Sequence, residues 1–249
     1  MLKFNCVKRR GFLDRLDKTV AKHMNISRSA ARQLIRSGAV EINGKKIFAA
    51  EEQLDINRDE LRINGKAVAM RKYLYIMLNK PSGVLSAAKD PDCPTVIDLL
   101  PPELKRRGLF PAGRLDKDTT GLLIITDDGD FSHRLISPSH HVYKTYEAVL
   151  ESPIGEEELS KIRAGITLGD STQCLPAQAQ LIGTEPVTVK VRIREGKYHQ
   201  VKRMFAAVGN SVSSLHRSAI GALRLDETLL PGEARLMTDG EIKKIFEDA

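Results

Sequence analysis

Ala112-Gly113-Arg114-Leu115-Asp116-Lys117-Asp118-Thr119-Thr120-Gly121-Leu122-Leu123 sets one carboxylate, Asp116, between an arginine and a turn of small residues, with the apolar run Leu122 to Ile125 directly after it. A carboxylate there has a fixed backbone, a cationic neighbour and a dry wall behind it, the conditions that make an aspartate reactive rather than solvated. The competing reading is a turn aspartate that bonds nearby backbone amides. An internal control locates the specificity. Arg15-Leu16-Asp17-Lys18 repeats the tetrapeptide Arg114 to Lys117. Around that copy Leu13, Leu16 and Val20 recur at helical spacing with Lys18 and Lys22 on another face, which makes Asp17 a surface helix residue. The tetrapeptide alone therefore carries no signal; Gly113 before it and Thr119-Thr120-Gly121-Leu122-Leu123 after it do.

A chain of 249 residues with 41% hydrophobic residues is able to bury a sizeable core, as one large domain or two smaller ones. No apolar run approaches the length of a membrane span, and the N-terminus Met1 to Cys6 lacks a signal-peptide core, so the expected compartment is the cytoplasm. Cys6, Cys93 and Cys174 are odd in number and far apart, which argues against a disulfide framework and a zinc ribbon. His140 and His141 are adjacent and point apart on a helix or strand, and Asp127-Asp128-Gly129-Asp130 lacks calcium-loop spacing, so no metal is expected. The acidic run reads instead as a turn with a helix N-cap.

Charge divides the chain. In residues 1–72 Lys and Arg outnumber Asp and Glu 17 to 8, whereas in the rest they stand at 22 to 24. Such asymmetry points to a polyanion-binding module joined to a near-neutral body. Ser27 is placed to cap a helix from Arg28 to Ser37 that Gly38 stops. On it Arg28, Arg32 and Arg36 form one stripe opposite Ala31, Leu34 and Ile35. Like charges at this spacing repel by a few tenths of a kcal/mol per pair, roughly, and a phosphate backbone would relieve that cost. Asn43-Gly44 between Val40-Glu41-Ile42 and Lys45-Lys46-Ile47-Phe48 is a hairpin signal, and Leu61-Arg62-Ile63 reads as a further short strand. Two helices followed by a hairpin resemble the S4 RNA-binding domain, here residues 1–65 with a core of about 10–65.

Residues 66–72 show no clear period and read as a linker to a second domain, 73–249. Tyr73 to Leu78 reads as a core strand that Asn79-Lys80-Pro81-Ser82-Gly83 ends in a turn. Gly121 to Thr126, Lys144 to Leu150 and Val187 to Arg194 read as strands, and a helix follows from about His199 with Val201, Phe205 and Val208 on its buried side. Lys202 and Arg203 fall at the start of that helix, where its dipole disfavours cations. Something must hold them there, and Asp116 is the candidate.

Beyond these patterns the chain resembles the RsuA branch of the RNA pseudouridine synthases, which joins an S4 domain to the catalytic domain. The resemblance rests on Ala112 to Leu123, on Lys80-Pro81 with Gly83, on Ser137-Pro138 before His140-His141 and on the unbroken run Glu195 to Asn210. It continues through Leu215-His216-Arg217 and Leu230-Pro231-Gly232-Glu233. Residues 1–11 extend beyond the usual S4 start. The resemblance implies an α+β fold: a small helical-pair-plus-hairpin module, then a mixed, mostly antiparallel sheet flanked by helices. It implies isomerisation of a uridine in 16S ribosomal RNA, free or in a small-subunit assembly intermediate, by a monomer that needs no cofactor. Two alternatives stand beside it: the same chemistry on large-subunit RNA, and a non-catalytic S4-type RNA-binding or assembly protein. Asp116 is the implied catalytic residue, with Lys202 as its cationic partner and Tyr146 packing on the base. Arg114 is suited to fill the space the base vacates and to hold phosphate. Val201 and Leu215 complete an apolar floor, while Arg28, Arg32 and Arg36 grip RNA. Attack on the sugar, attack on the base and proton abstraction from the ribose all remain open as routes.

Overall fold

The structure, a computed structural model, describes residues 13–247; Cys6 and the extension 1–11 lie outside that range. The chain divides into two compact units, residues 13–73 with 106–108, and 74–105 with 109–247.

The first unit runs β1 (Leu13–Arg15), α1 (Leu16–His23), α2 (Arg28–Arg36), β2 (Val40–Ile42), β3 (Lys45–Lys46), β4 (Gln53–Asp55), β5 (Leu61–Ile63) and β6 (Lys66–Val68). Ser27 caps α2, its Oγ accepting from the Ala30 amide at 3.1 Å, and Gly38 follows the helix at φ +75°. Leu16, Val20, Ala31, Ile35, Leu54 and Leu61 close one core between the helices and a β3-β2-β5-β6 sheet. Strand β6 corrects the linker expected at 66–72. Asn64 and Gly65, at φ +51° and +73°, form the same left-handed pair as Asn43-Gly44, and the chain folds back so that Val68 faces Leu61. The second Asn-Gly carried the same signal as the first.

Asp17 corrects a larger expectation. It is not a surface residue: its side chain is 0% exposed and accepts hydrogen bonds from Arg15, Arg28 and Arg32 at 2.9–3.3 Å. The helix begins only at Leu16, so Leu13 belongs to β1 and the apolar spacing that seemed to define the helix face spanned two elements. The repulsion along the arginine stripe is thus relieved from within for Arg28 and Arg32. Arg36 makes no side-chain hydrogen bond or ion pair among the described residues. Burial pulls the Asp17 carboxyl up, but the hydrogen bonds from the three guanidiniums outweigh it and hold the group at about 2. A carboxyl lowered by folding stabilises above its ordinary value of 3.8, and that contribution is lost as pH falls toward 2. Asp17→Ala should therefore cost about 1–3 kcal/mol at neutral pH, discounted because the arginines are half in solvent. In urea unfolding followed across pH, the gap between wild type and variant should close on acidification toward pH 2; a gap independent of pH would refute this account.

The second unit contains β7 (Tyr75–Lys80), β8 (Phe110–Pro111), β9 (Thr120–Thr126), α3 (Gly129–Ile136), β10 (Lys144–Leu150), α4 (Glu156–Ala164), β11 (Gln178–Thr184), β12 (Val187–Ile193), α5 (Gln200–Ala207), β13 (Val212–Ile220), β14 (Leu223–Arg224), β15 (Ala234–Leu236) and α6 (Asp239–Lys244). Its sheet has the order β11-β12-β10-β13-β9-β7-β15, with β14 beside β13 and β8 beside β9. Each pairing is antiparallel except β13 with β9, so the sheet is mixed and mostly antiparallel and the fold is α+β. Period-two alternation along β9 sends Leu123 and Ile125 into a core with α4 and α5, and Leu122 and Ile124 into a core with α3. Asp128 caps α3 by accepting from the Phe131 amide, and Asp127 accepts from the Leu74 amide. The acidic run is thus a turn and cap, and among the described residues no three His, Cys, Asp or Glu gather as metal ligands.

The parallel contact sits at the motif itself. Thr120 and Gly121 lie beside His216 and Arg217, and a Cβ on Gly121 would stand 2.4 Å from the Arg217 carbonyl oxygen. Only glycine permits that approach, at a φ of +100° that side chains resist.

Candidate active site

The segment between β8 and β9 carries Asp116, and its backbone is pinned from several sides. The Thr119 amide donates to the Asp116 carbonyl at 3.1 Å, which closes a turn. Ser86 Oγ donates to the Leu115 carbonyl and accepts from the Leu115 amide, and the Gly83 amide donates to the Lys117 carbonyl. Beneath the turn lies Lys80, 0% exposed, whose ammonium donates to the carbonyls of Pro81, Lys117 and Thr119 at 2.9–3.1 Å. This corrects the reading of Asn79 to Gly83 as an ordinary strand-ending turn: Lys80 is the last residue of β7 and fastens the loop that carries Asp116. Burial draws its amine down to about 8, against the opposing pull of Asp118 and Asp116. A lysine closing an apolar strand was the visible signal.

A cavity of about 70 Å³ lies over this turn. The structure brings Arg114, Asp116, Tyr146, Val201 and Leu215 together in its wall. Tyr146 comes from the middle of β10, Val201 from the first turn of α5 and Leu215 from β13. The Asp116 side chain is 29% exposed, and its Oδ1 lies 3.5 Å from His199 Nε2. Arg114 is exposed and makes no hydrogen bond or ion pair among the described residues.

Lys202 does not join them. It bonds both Asp118 oxygens, at 2.7 and 2.6 Å, and holds that carboxyl below its usual range. The expected Lys202–Asp116 pair is therefore replaced by Lys202–Asp118, two residues on. Arg203 pairs with Asp170 at 2.5 Å, so each cation at the start of α5 is held by a carboxylate from another loop. The residue that does meet Asp116, His199, takes a left-handed backbone, φ +49°, at the N-cap of α5. The turn before it is built on Glu195, whose Oε1 accepts from Gln200 Nε2 at 2.6 Å and from the Leu175 amide at 2.9 Å.

Arg217, part of the Leu215-His216-Arg217 motif but given no role by it, also belongs to the site. It is 4% exposed, donates through Nε to the Leu122 carbonyl at 2.8 Å and reaches the Tyr146 hydroxyl through Nη1 at 3.5 Å. Strand alternation was the available signal: two residues beyond Leu215, Arg217 shares its face. A carboxylate, a phenol and an apolar floor in one cavity, with a free arginine at its rim, suit a planar base whose glycosidic carbon faces the carboxylate.

Residues 74–207 match the RNA pseudouridylate synthase family and residues 14–59 match the S4 domain. The chain belongs to that family and is an RNA pseudouridine synthase, an isomerase, with an S4 domain before its catalytic region. It is 44% identical to ribosomal small subunit pseudouridine synthase A of Salmonella typhimurium over 93% of this chain and 99% of that one. It is 43% identical to YtzG of Bacillus subtilis, an uncharacterized RNA pseudouridine synthase, over 94% and 98%. A crystal structure of a pseudouridylate synthase, 41% identical, superposes with a TM-score of 0.65 and covers 93% of this chain and 99% of its own. No helix among the described residues is long and apolar enough to cross a membrane.

Proposed function

We propose that the chain isomerises one uridine of small-subunit ribosomal RNA to pseudouridine, with Asp116 as the reacting group. The observation that carries this reading is the cavity that joins Asp116 to Tyr146 over Val201 and Leu215. The similarity to small-subunit enzymes over nearly the whole chain supports the choice of RNA. The uridine must first leave its stack, which costs a few kcal/mol, roughly, and Arg114 occupies the space left and holds phosphate. The N1–C1′ bond then breaks, the base turns, C5 bonds to C1′, the C5 proton leaves and N1 gains one. Asp116 serves as nucleophile or as base at the ribose, and Tyr146 packs against the uracil. The atoms balance without an oxidant or reductant. The reading extends to a monomer that works in the cytoplasm, where it meets ribosomal RNA. Mapping pseudouridines by carbodiimide in ribosomal RNA from cells lacking the protein tests the assignment. One missing small-subunit site is expected; a site missing from the large subunit instead would move the substrate.

The unit that contains residues 13–73 acts in this scheme as the RNA-gripping module and the unit that contains 74–105 and 109–247 as the catalytic domain. Arg28 and Arg32 are half-exposed and present their outer edges to phosphate while bound to Asp17; Arg36 is uncommitted. Arg36→Gln should leave stability unchanged and reduce the log–log salt slope of RNA binding by about 0.7–0.9. An unchanged slope in a salt titration would remove Arg36 from the interface.

A further inference from the structure

Beside the Asp116 cavity the surface widens into a cleft of about 720 Å³. It shares Arg114, Asp116 and His199 with the cavity and is walled further out by Lys117 and Tyr198. Tyr198 is 75% exposed, an unusual place for a tyrosine in a folded domain. It is nonetheless fixed. One face of its ring lies on the His199 ring, centroids 3.8 Å apart and planes 18° from parallel. His199 is itself set by its left-handed backbone at the start of α5, and the Tyr198 carbonyl accepts from Arg203 Nη1 at 3.2 Å. The rest of the ring is open to solvent in the wall of the cleft. Two cations share the cleft wall with it: Arg114, without a polar partner among the described residues, and Lys117, exposed, whose ammonium lies 3.9 Å from Cys93 Sγ.

A flat aromatic face beside uncommitted cations fits a single nucleic-acid strand, the ring taking a base and the cations its phosphates. The placement says which base. A uridine turned into the inner cavity leaves its backbone at the mouth, where Arg114 stands, and its neighbours have each lost a stacking partner. We propose that Tyr198 is the platform on which the base adjacent to the target uridine stacks, with Arg114 and Lys117 holding the phosphates between them. This rests on the pseudouridine synthase reading of the inner cavity. Because every base offers a π-face, the platform holds the flipped conformation without selecting a sequence.

The test uses the full chain and a small-subunit ribosomal RNA fragment that spans the mapped uridine, with binding and single-turnover isomerisation read separately. Tyr198→Ala should weaken binding of the fragment by about five- to a hundredfold. Tyr198→Phe and Tyr198→Trp should retain affinity. An abasic residue at one of the two neighbouring positions should weaken wild type to the level of Tyr198→Ala and cost that variant nothing more. Unchanged affinity in Tyr198→Ala overturns the platform. So does a loss that persists on both abasic fragments, or one confined to the rate, which would mean that Tyr198 acts through His199 on Asp116. Wild-type protein that binds the fragment but isomerises no uridine overturns the functional reading instead, while the binding comparison still decides the platform.

Discussion

Asp116→Asn is expected to abolish tritium release from C5-labelled uridine RNA, by about 10⁴-fold or more, while fold and RNA affinity stay near those of the wild type. Asparagine preserves the shape of the side chain and removes its charge and basicity. The turn does not depend on the carboxylate, because the hydrogen bond that closes it comes from the Thr119 amide to the Asp116 backbone carbonyl. The side chain's polar contact with His199 is long, at 3.5 Å. Circular dichroism and RNA binding would confirm an intact protein. Release at a near-normal rate would refute the assignment of Asp116.

Lys80→Met should be almost as damaging by a different route. Three carbonyls, from Pro81, Lys117 and Thr119, lose the buried ammonium as donor, while the Lys117 carbonyl keeps the Gly83 amide. Buried acceptors left unpaired cost about 1–3 kcal/mol each, and an Asp116 displaced by an ångström forfeits about a hundredfold in rate. A lower melting temperature and a rate loss of about a hundredfold or more are expected. Lys80→Arg should not rescue, because the larger guanidinium has no space. The wild type carries a pH signature of the same residue. With the amine drawn down to about 8, the ammonium is lost as pH rises through that value, and the single-turnover rate should fall with it. The sign for stability is opposite. The folded value lies below 10.5, so the unfolded chain binds more protons between the two, and this group's contribution to stability rises across that window. A rate flat from pH 7 to 9.5 would refute the clamp.

Much of this was legible because it is local. Asp116, Tyr146, Val201 and Leu215 sit in short patterns whose spacing survives folding, and Ser27, Asp128 and Asn43-Gly44 act within a few residues of themselves. What was misread depends on where elements begin or on distant partners. Asp17 went inside because α1 starts at Leu16 rather than before Leu13. Lys202 chose Asp118 over Asp116 because an irregular loop, unlike a helix or strand, has no period from which to infer the direction of a side chain. Lys80 and Arg217 acquire their roles through strand pairings and loop carbonyls that lie 37 to 95 residues away in sequence.

The parallel pairing of β9 with β13 has a further consequence, for the order in which the molecule assembles. Thr120 and His216 meet across 96 residues of chain, and that stretch contains β10, α4, β11, β12 and α5. Contacts of such sequence separation wait on the closure of everything between them. The hairpins of the N-terminal unit and the β11–β12 ribbon have no such wait. A chain part-way through folding is therefore expected to acquire its helices and ribbons first and the cavity around Asp116 late, so an immature molecule should grip RNA without isomerising it.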